Sequence, residues 1–452
     1  MNPSAFPRTL RGLVKRLKKD GLLETHARPV DRELELARIC GQSPRDALRT
    51  IAVKGFAGRV ITGLAANRNT LATTLDVATE DLAGTLKDAE HHPGAVQLTE
   101  KAPFMQNRIQ HPDLMQHLPL GRFYPADGGP YATAFVVAGQ SARYGLNLSF
   151  HRMMVLGKNR LAVRVVRRHL HQILNETNGR ATVALFCGVH PAVLLAAAVS
   201  ASPALDELKV AARLTGGVLD CVEVADGLFV PAQSEVVMRG RFTGERTAEG
   251  PFVDLTGTYD TIRQEPVLEI DTLWMRDNPY YHTILPAGPE HKLLMGLPRE
   301  PAILEAARKV APNVSAVCLT AGGCAWLHGV VAIENPAPGQ PVNVGMAALS
   351  AHPSLKKVVV VDADIDIYDP QAVEWATATR MQPDRDLTVV AGARGSSLDP
   401  SRDPETETTA KWIVDATLDS ARTAEFVRAD RLTDDRLTDG RPTDDRLTGE
   451  RS

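Results

Sequence analysis

The chain has 452 residues, 44% of them hydrophobic and 23% charged, with 51 Lys and Arg against 54 Asp and Glu. That length exceeds what one ordinary core serves, so two or three domains are expected, and a net charge of -3 excludes a broad electrostatic footprint for nucleic acid or an anionic membrane surface. A local basic pocket for a small anion survives this exclusion.

The opening stretch MNPSAFPRTLRGLVKRLKKDG has basic residues but no apolar run behind them, and no later run reaches the roughly 18 apolar residues of a membrane span. A soluble, unexported, cytoplasmic protein is expected. Cys40, Cys187, Cys221, Cys318 and Cys324 are odd in number and lack C-x-x-C spacing, which fits reduced, mostly buried thiols. Cys318 and Cys324 are read as core packing, not as metal ligands.

From about Thr9 to Asp20, Leu10, Leu13, Val14 and Leu17 recur at helical spacing among Lys and Arg, which predicts an amphipathic helix. A strand from about Leu22 to Val30 then leads into a mixed α/β region. Residues 101–129, rich in Pro, His and Asp, read as a long connection between domains. From about Tyr131 to Arg263, the runs ATAFVVAG, NRLAVRVV, ATVALFCGV, EVVMRGRFTG and FVDLTGTYD predict a small antiparallel barrel or curved sheet, interrupted by the helix PAVLLAAAV. After Pro298, strands and helices alternate (PAILEAARKV, VSAVCLTA, HGVVAIE, VNVGMAALSAH, KKVVVVDADID, DPQAVEWATATRM, DLTVVAG), predicting a mainly parallel sheet covered on both faces. The end, RLTDDRLTDGRPTDDRLTGERS, repeats alternating charge with little to bury and reads as disordered.

Three stretches carry residues suited to chemistry. NLSFHRMMVLGKNRLAVRVVRRHLHQI, residues 147–173, offers Asn147, His151 and His169 as oxygen and nitrogen ligands, and Arg152, Arg164, Arg167 and Arg168 as forked donors to phosphate or carboxylate. By itself, an Arg/His-rich strand is more often a solvated sheet face. EGPFVDLTGTY, residues 249–259, sets Glu249 and Asp254 on either side of a Gly250-Pro251 turn, where two acids beside an arginine suit acid-assisted chemistry. Without further context, a turn bearing Glu and Asp is most often ordinary surface. Glu207 opens the amphipathic stretch ALDELKVAARLTG, where it serves either the helix dipole or a metal.

In this order the segments resemble the UbiD decarboxylase family. The resemblance runs from about Thr9 to Asp399 and rests on N-x-x-x-x-R at Asn147 to Arg152, R-H-L around His169, G-x-H-P at Gly188 to Pro191, E-x-x-x-A-x-x-L-x-G from Glu207, V-P-A-x-S-E at Val230 to Glu235, E-G-P-F-x-D at Glu249 to Asp254, and V-D-x-D-I-D-I-x-D-P at Val361 to Pro370. It implies a lyase that uses prenylated FMN, supplied by a flavin prenyltransferase, to decarboxylate an α,β-unsaturated acid. The modified flavin would take up electrons that a bare vinyl or aryl carbanion could not hold. Arg152, Glu249 and Asp254 match the family's catalytic triad, with Asp254 where many members have Glu. Asn147, His169 and Glu207 match its ligands for Mn2+ or Mg2+, with K+ as a further candidate ion, and either Arg168 or His169 faces the metal. Phe150, His151, Arg152, Arg164, Arg168 and His169 would line the cofactor.

The fold so implied is multidomain, α+β and α/β: an N-terminal α/β domain, 1–128; a central split β-barrel of the flavin-reductase kind holding flavin and metal, 129–297; a C-terminal α/β oligomerisation domain, 298–422; and a disordered tail, 423–452. A homodimer or homohexamer is expected. YHTILPAGPEHKLLMGLPREP and QPDRDLTVVAGARGSSLDPS are most similar to the archaeal branch that converts trans-anhydromevalonate 5-phosphate to isopentenyl phosphate. His282, His291, Lys292 and Arg299 are then candidates for the substrate phosphate. The alternatives are an aromatic or heteroaromatic acid decarboxylase, against which the 5% aromatic content weighs, and a non-catalytic flavin-binding protein.

Overall fold

Leu10, Leu13, Val14 and Leu17 are all buried along one side of the helix Leu10–Lys19, and Thr9 caps its start by accepting from the Gly12 amide. This computed structural model describes residues 7–42, 47–199, 205–418 and 426. Apart from Phe426, the expected disordered tail, 423–452, lies outside the described residues. Among the described residues no helix is long and apolar enough to cross a membrane.

The strands Leu23–Val30, Leu48–Val53 and Arg59–Thr62 form a four-stranded sheet completed by Tyr280–His282, which pairs parallel to Arg59–Thr62 from far along the chain, Tyr280 opposite Arg59. The N-terminal sheet is therefore closed by a segment that follows the central strands.

At the centre stands a nine-stranded sheet. Its strands run Tyr131–Ala132, Met153–Val155, Arg160–Val163, Arg263–Met275, Val236–Glu249, Thr182–Cys187, Val136–Ser141, Gly145–Phe150, with Asn107–Gln110 also beside Arg263–Met275. Every pairing in it is antiparallel. The apolar run of Thr182–Cys187 is buried on both faces, because Ala184 and Phe186 enter one core while Val183, Leu185 and Cys187 enter another. The turn at Gly157 to Asn159 joins two antiparallel strands, as its sequence predicts.

Residues 101–129 are not a bare connection. They contribute the strand Asn107–Gln110 to the central sheet, and Phe104, Leu114, Leu118 and Leu120 are buried. The local richness in Pro and His conceals apolar residues spaced too irregularly for a periodic signal.

The C-terminal sheet runs Val314–Leu319, His328–Ile333, Lys357–Asp362, Thr408–Ala416, Leu387–Arg394. Only the inner pairings are parallel; both outer pairings are antiparallel, so the expected mainly parallel sheet is mixed. The strand Thr408–Ala416, missed in the sequence because Thr, Lys and Trp break its apolar run, inserts between Lys357–Asp362 and Leu387–Arg394, which follow one another among the expected strands. Helices do cover both faces: Ile303 and Val344 pack on one with Val358 and Val360, Ala372 and Ala376 on the other with Val359 and Val361.

Candidate active site

Arg152 follows the strand Gly145–Phe150, Glu249 ends the long strand Val236–Glu249, and Asp254 follows the short hairpin strand Phe252–Val253. Three separate strand ends thus deliver one cation and two acids to one place. Arg152 Nε donates to Glu249 Oε1 at 2.9 Å, Nη2 to Glu249 Oε2 at 3.0 Å, and Nη1 to Asp254 Oδ2 at 2.8 Å. Gly250 sits at φ +101°, a backbone conformation that favours glycine, and this turn lets the chain fold back after Glu249.

Two further members were not legible in the sequence. Asp260 Oδ2 accepts from Arg152 Nη2 at 2.9 Å, while Arg263 donates to both oxygens of the same carboxylate. The hairpin is the reason, since it pairs Phe252 with Asp260 and Val253 with Tyr259. The signal available was the Gly257 turn within FVDLTGTYD, which predicts such a pairing once the register is known. Buried Tyr131 donates its hydroxyl to Glu249 Oε1 at 2.9 Å and packs with its ring tilted against Phe252, over whose ring the Arg152 guanidinium lies 4.7 Å from the centroid.

These contacts divide the acids. Glu249 is fully enclosed, with a bidentate partner and a phenol. Burial works against ionisation of Asp260, but Arg263 and Arg152 outweigh it and hold the carboxyl at about 2. Asp254 has the most exposed side chain of the three, 20% against 13% for Asp260 and 0% for Glu249. Burial alone would ease the proton off Arg152, yet the three acids raise its pKa above the ordinary arginine value. A guanidinium has five N–H donors, and here four are committed to carboxylates, which leaves one on Nη1.

A second cluster lies along the strand Gly145–Phe150. Asn147 Nδ2 donates to Glu207 Oε1 at 2.9 Å and lies 3.1 Å from His169 Nδ1, and the Leu148 amide donates to Glu207 Oε2 at 3.1 Å. His169 and Glu207 each open a helix, His169–Glu176 and Glu207–Leu214, so both reach the strand from helix N-termini. Burial pushes the Glu207 carboxyl up to about 7 and holds the His169 imidazole below its usual value, with Arg168 adding to the latter. Among the described residues no three His, Cys, Asp or Glu side chains gather as a metal-ligand group; this cluster has two such side chains and an amide.

Of the remaining expected residues, His151 donates from Nδ1 to the Arg164 carbonyl at 2.8 Å and accepts from Ser149 at Nε2, and burial holds it neutral at about 4. Phe150 is half-buried against the core, and Arg168 is exposed beside His169. Arg164 is already engaged, donating to Glu265 Oε1 at 2.8 Å.

Family models cover almost all of the described chain: the N-terminal, Rift-related and C-terminal domains of 3-octaprenyl-4-hydroxybenzoate carboxy-lyase, UbiD, match residues 14–89, 96–289 and 292–416. The chain is 42% identical over 407 residues to an anhydromevalonate phosphate decarboxylase of Methanothermobacter thermautotrophicus, covering 89% of this chain and 95% of that protein. It is 40% identical to the protein of that name from Methanocaldococcus jannaschii, covering 85% and 92%. A phenolic acid decarboxylase of Bacillus subtilis is 30% identical over 73% of each chain. Among solved structures, the UbiD-class enzyme HmfF of Pelotomaculum thermopropionicum in complex with FMN superposes with a TM-score of 0.90 at 35% identity, covering 96% of this chain and 100% of that one. An evolved dimeric form of HmfF with prFMN gives a TM-score of 0.85 at 32% identity, covering 94% and 100%.

Proposed function

The chain belongs to the UbiD family of carboxy-lyases, and from that premise we propose that it decarboxylates trans-anhydromevalonate 5-phosphate to isopentenyl phosphate with prenylated FMN as cofactor. The archaeal relatives at 40–42% identity support the substrate over an aromatic acid, the phenolic acid decarboxylase standing lower at 30%. The flavin reading is supported by the FMN and prFMN complexes of HmfF. One observation carries the catalytic reading: a guanidinium held among three acids, with a single N–H unspent.

When bound, prenylated FMN supplies the sink for the electron pair that the departing carboxylate leaves behind. Arg152 orients the substrate carboxylate with its remaining Nη1 hydrogen. A second hydrogen becomes available once Asp254 takes up a proton and releases Arg152, because Asp254 holds the guanidinium through one bond only. Asp254 then donates that proton to the carbon that lost carbon dioxide. Glu249, anchored by Tyr131, keeps the guanidinium plane fixed.

A divalent cation, Mn2+ or Mg2+, fits beside Asn147, His169 and Glu207. Glu207 is 5% exposed, and its hydrogen-bond partners are an amide and a backbone N–H, neither of which offers the positive charge a buried carboxylate wants. The imidazole of His169 and the carbonyl of Asn147 complete a nitrogen and oxygen donor set suited to such an ion, with K+ as a candidate second ion. Its role would be to anchor the flavin phosphate. We further place the protein in the cytoplasm as a homodimer or homohexamer that receives its cofactor from a flavin prenyltransferase.

The test is carbon dioxide release by protein co-produced with a flavin prenyltransferase, assayed on the phosphorylated acid and on a panel of aromatic acids. Turnover of the phosphorylated acid is expected; turnover of aromatic acids alone would replace the substrate, and turnover of neither would remove the enzyme reading. Dialysis against a chelator is expected to strip flavin absorbance along with the metal, and full flavin retention in metal-free protein would sink the metal assignment.

A further inference from the structure

Arg299 ends the turn Leu297–Arg299 that leads into the C-terminal domain. Its Nε is buried without a hydrogen-bond partner, and its terminal nitrogens make no hydrogen bond or ion pair among the described residues. The guanidinium carbon lies 5.8 Å from the ring centroid of Trp326, and that ring meets His352 edge-on at 4.4 Å. His352 is 6% exposed, and its Nε2 is likewise without a partner. Two orphaned nitrogens from different elements therefore flank one indole.

The electrostatics agree with the geometry. Burial lowers Arg299 to about 10, with Arg168 adding to the effect, and burial holds His352 at about 4, with Arg299 next in weight and Lys411 and Arg168 behind it. The acid acting on Arg299 is Glu90, itself pushed upward by burial and not hydrogen-bonded to it. A buried guanidinium nitrogen with no acceptor is costly, and an anion beside Arg299 would relieve that cost. Two of the three other basic candidates already have a partner: fully buried His282 pairs through Nε2 with Glu290 at 3.1 Å, and His291 Nδ1 accepts from the Ala287 amide at 3.1 Å.

We propose that Arg299 and His352, beside Trp326, form a binding site for a phosphate monoester. A forked guanidinium matches phosphate oxygens bidentately, and a nearby imidazole can add a donor once protonated. Two ligands of the proposed reaction carry this group, the substrate and the flavin, and only the choice between them rests on that reading.

The probe is inorganic phosphate, titrated by calorimetry into the full-length protein, first free of flavin and then loaded with FMN. Wild type binds phosphate in the flavin-free form, and Arg299→Gln weakens that binding at least tenfold. If FMN-loaded wild type still binds phosphate, the site serves the substrate. If FMN loading blocks phosphate and Arg299→Gln also weakens FMN at least tenfold, the site serves the flavin. Arg299→Gln binding phosphate and FMN within twofold of wild type overturns the proposal, as does wild type that binds no phosphate. Should Arg299→Gln lose its cooperative melt, Arg299→Lys keeps the charge without the fork; at least threefold weaker binding supports the site, and unchanged binding overturns it. Decarboxylation is not read in this experiment, so a failed substrate assignment leaves its outcome intact.

Discussion

Asp254 differs from its two acidic neighbours in having one guanidinium contact and a loop position, where Glu249 is enclosed and Asp260 is held by two arginines. Replacing Asp254 with Asn keeps the shape and removes the proton that the proposed mechanism has Asp254 donate. Asp254→Asn is expected to lower kcat by about 100-fold or more, measured as carbon dioxide release; near-wild-type turnover would move the proton donor elsewhere. His190 tests a different residue-scale point. Its Nδ1 accepts from the Ala192 amide at the start of the helix Pro191–Ala198, and burial keeps it neutral down to about 4. The unfolded chain takes up that proton near pH 6.5, so the unfolded state binds more protons between those values. His190 therefore favours the fold above pH 6.5, and this contribution is lost as pH falls toward 4. His190→Asn, which preserves a cap, should be less acid-sensitive than wild type by about 2 to 3 kcal/mol between pH 7 and 4.5, read by urea unfolding. Parallel pH profiles for the two proteins would contradict it.

At the scale of elements, the loop from the strand Thr182–Cys187 into that helix shows why one motif reads G-x-H-P. Gly188 has φ +68°, and a Cβ there would meet the Tyr280 carbonyl at 2.5 Å and Glu235 Cβ at 2.6 Å. Glu235, 0% exposed, accepts both forked bonds of Arg11 at 2.8 Å and the Tyr280 amide at 3.1 Å. The glycine thus lets a strand end approach the carboxylate that ties the first helix down. Gly188→Ala should cost about 2 to 4 kcal/mol, measured by chemical denaturation, and a loss within experimental error would mean the loop yields easily. The sequence motif marked this position, but it could not supply the approaching backbone.

On the scale of the molecule, Arg68 joins parts remote in sequence. It leaves the helix Arg68–Leu75 to pair with Glu300 and lies 5.1 Å from the ring centroid of Tyr368, while Glu300 also accepts the Leu319 amide at 2.8 Å. The Glu300 side chain is 0% exposed and that of Arg68 is 15% exposed. Arg68→Met should therefore destabilise by about 3 to 5 kcal/mol, because it strands a buried charge. Adding Glu300→Leu should recover much of that loss, since both charges then go. A double variant no more stable than Arg68→Met would show that the pair contributes through packing instead.

The sequence by itself determined the local elements and the roster of chemical groups. Leu10 to Leu17 fixed a helix through 3.6-residue spacing, the apolar run at Val183 to Cys187 fixed a buried strand, and the ordered motifs named Arg152, Glu249, Asp254, Asn147, His169 and Glu207. Register and long-range pairing belonged to the tertiary structure. Asp260 joins Arg152 because a hairpin sets it opposite Phe252, Tyr280–His282 closes a sheet begun at Leu23, and Thr408–Ala416 slips between strands that appear adjacent along the chain. Periodicity reports which face of an element seeks burial, whereas the partner it finds depends on how all such faces are satisfied together.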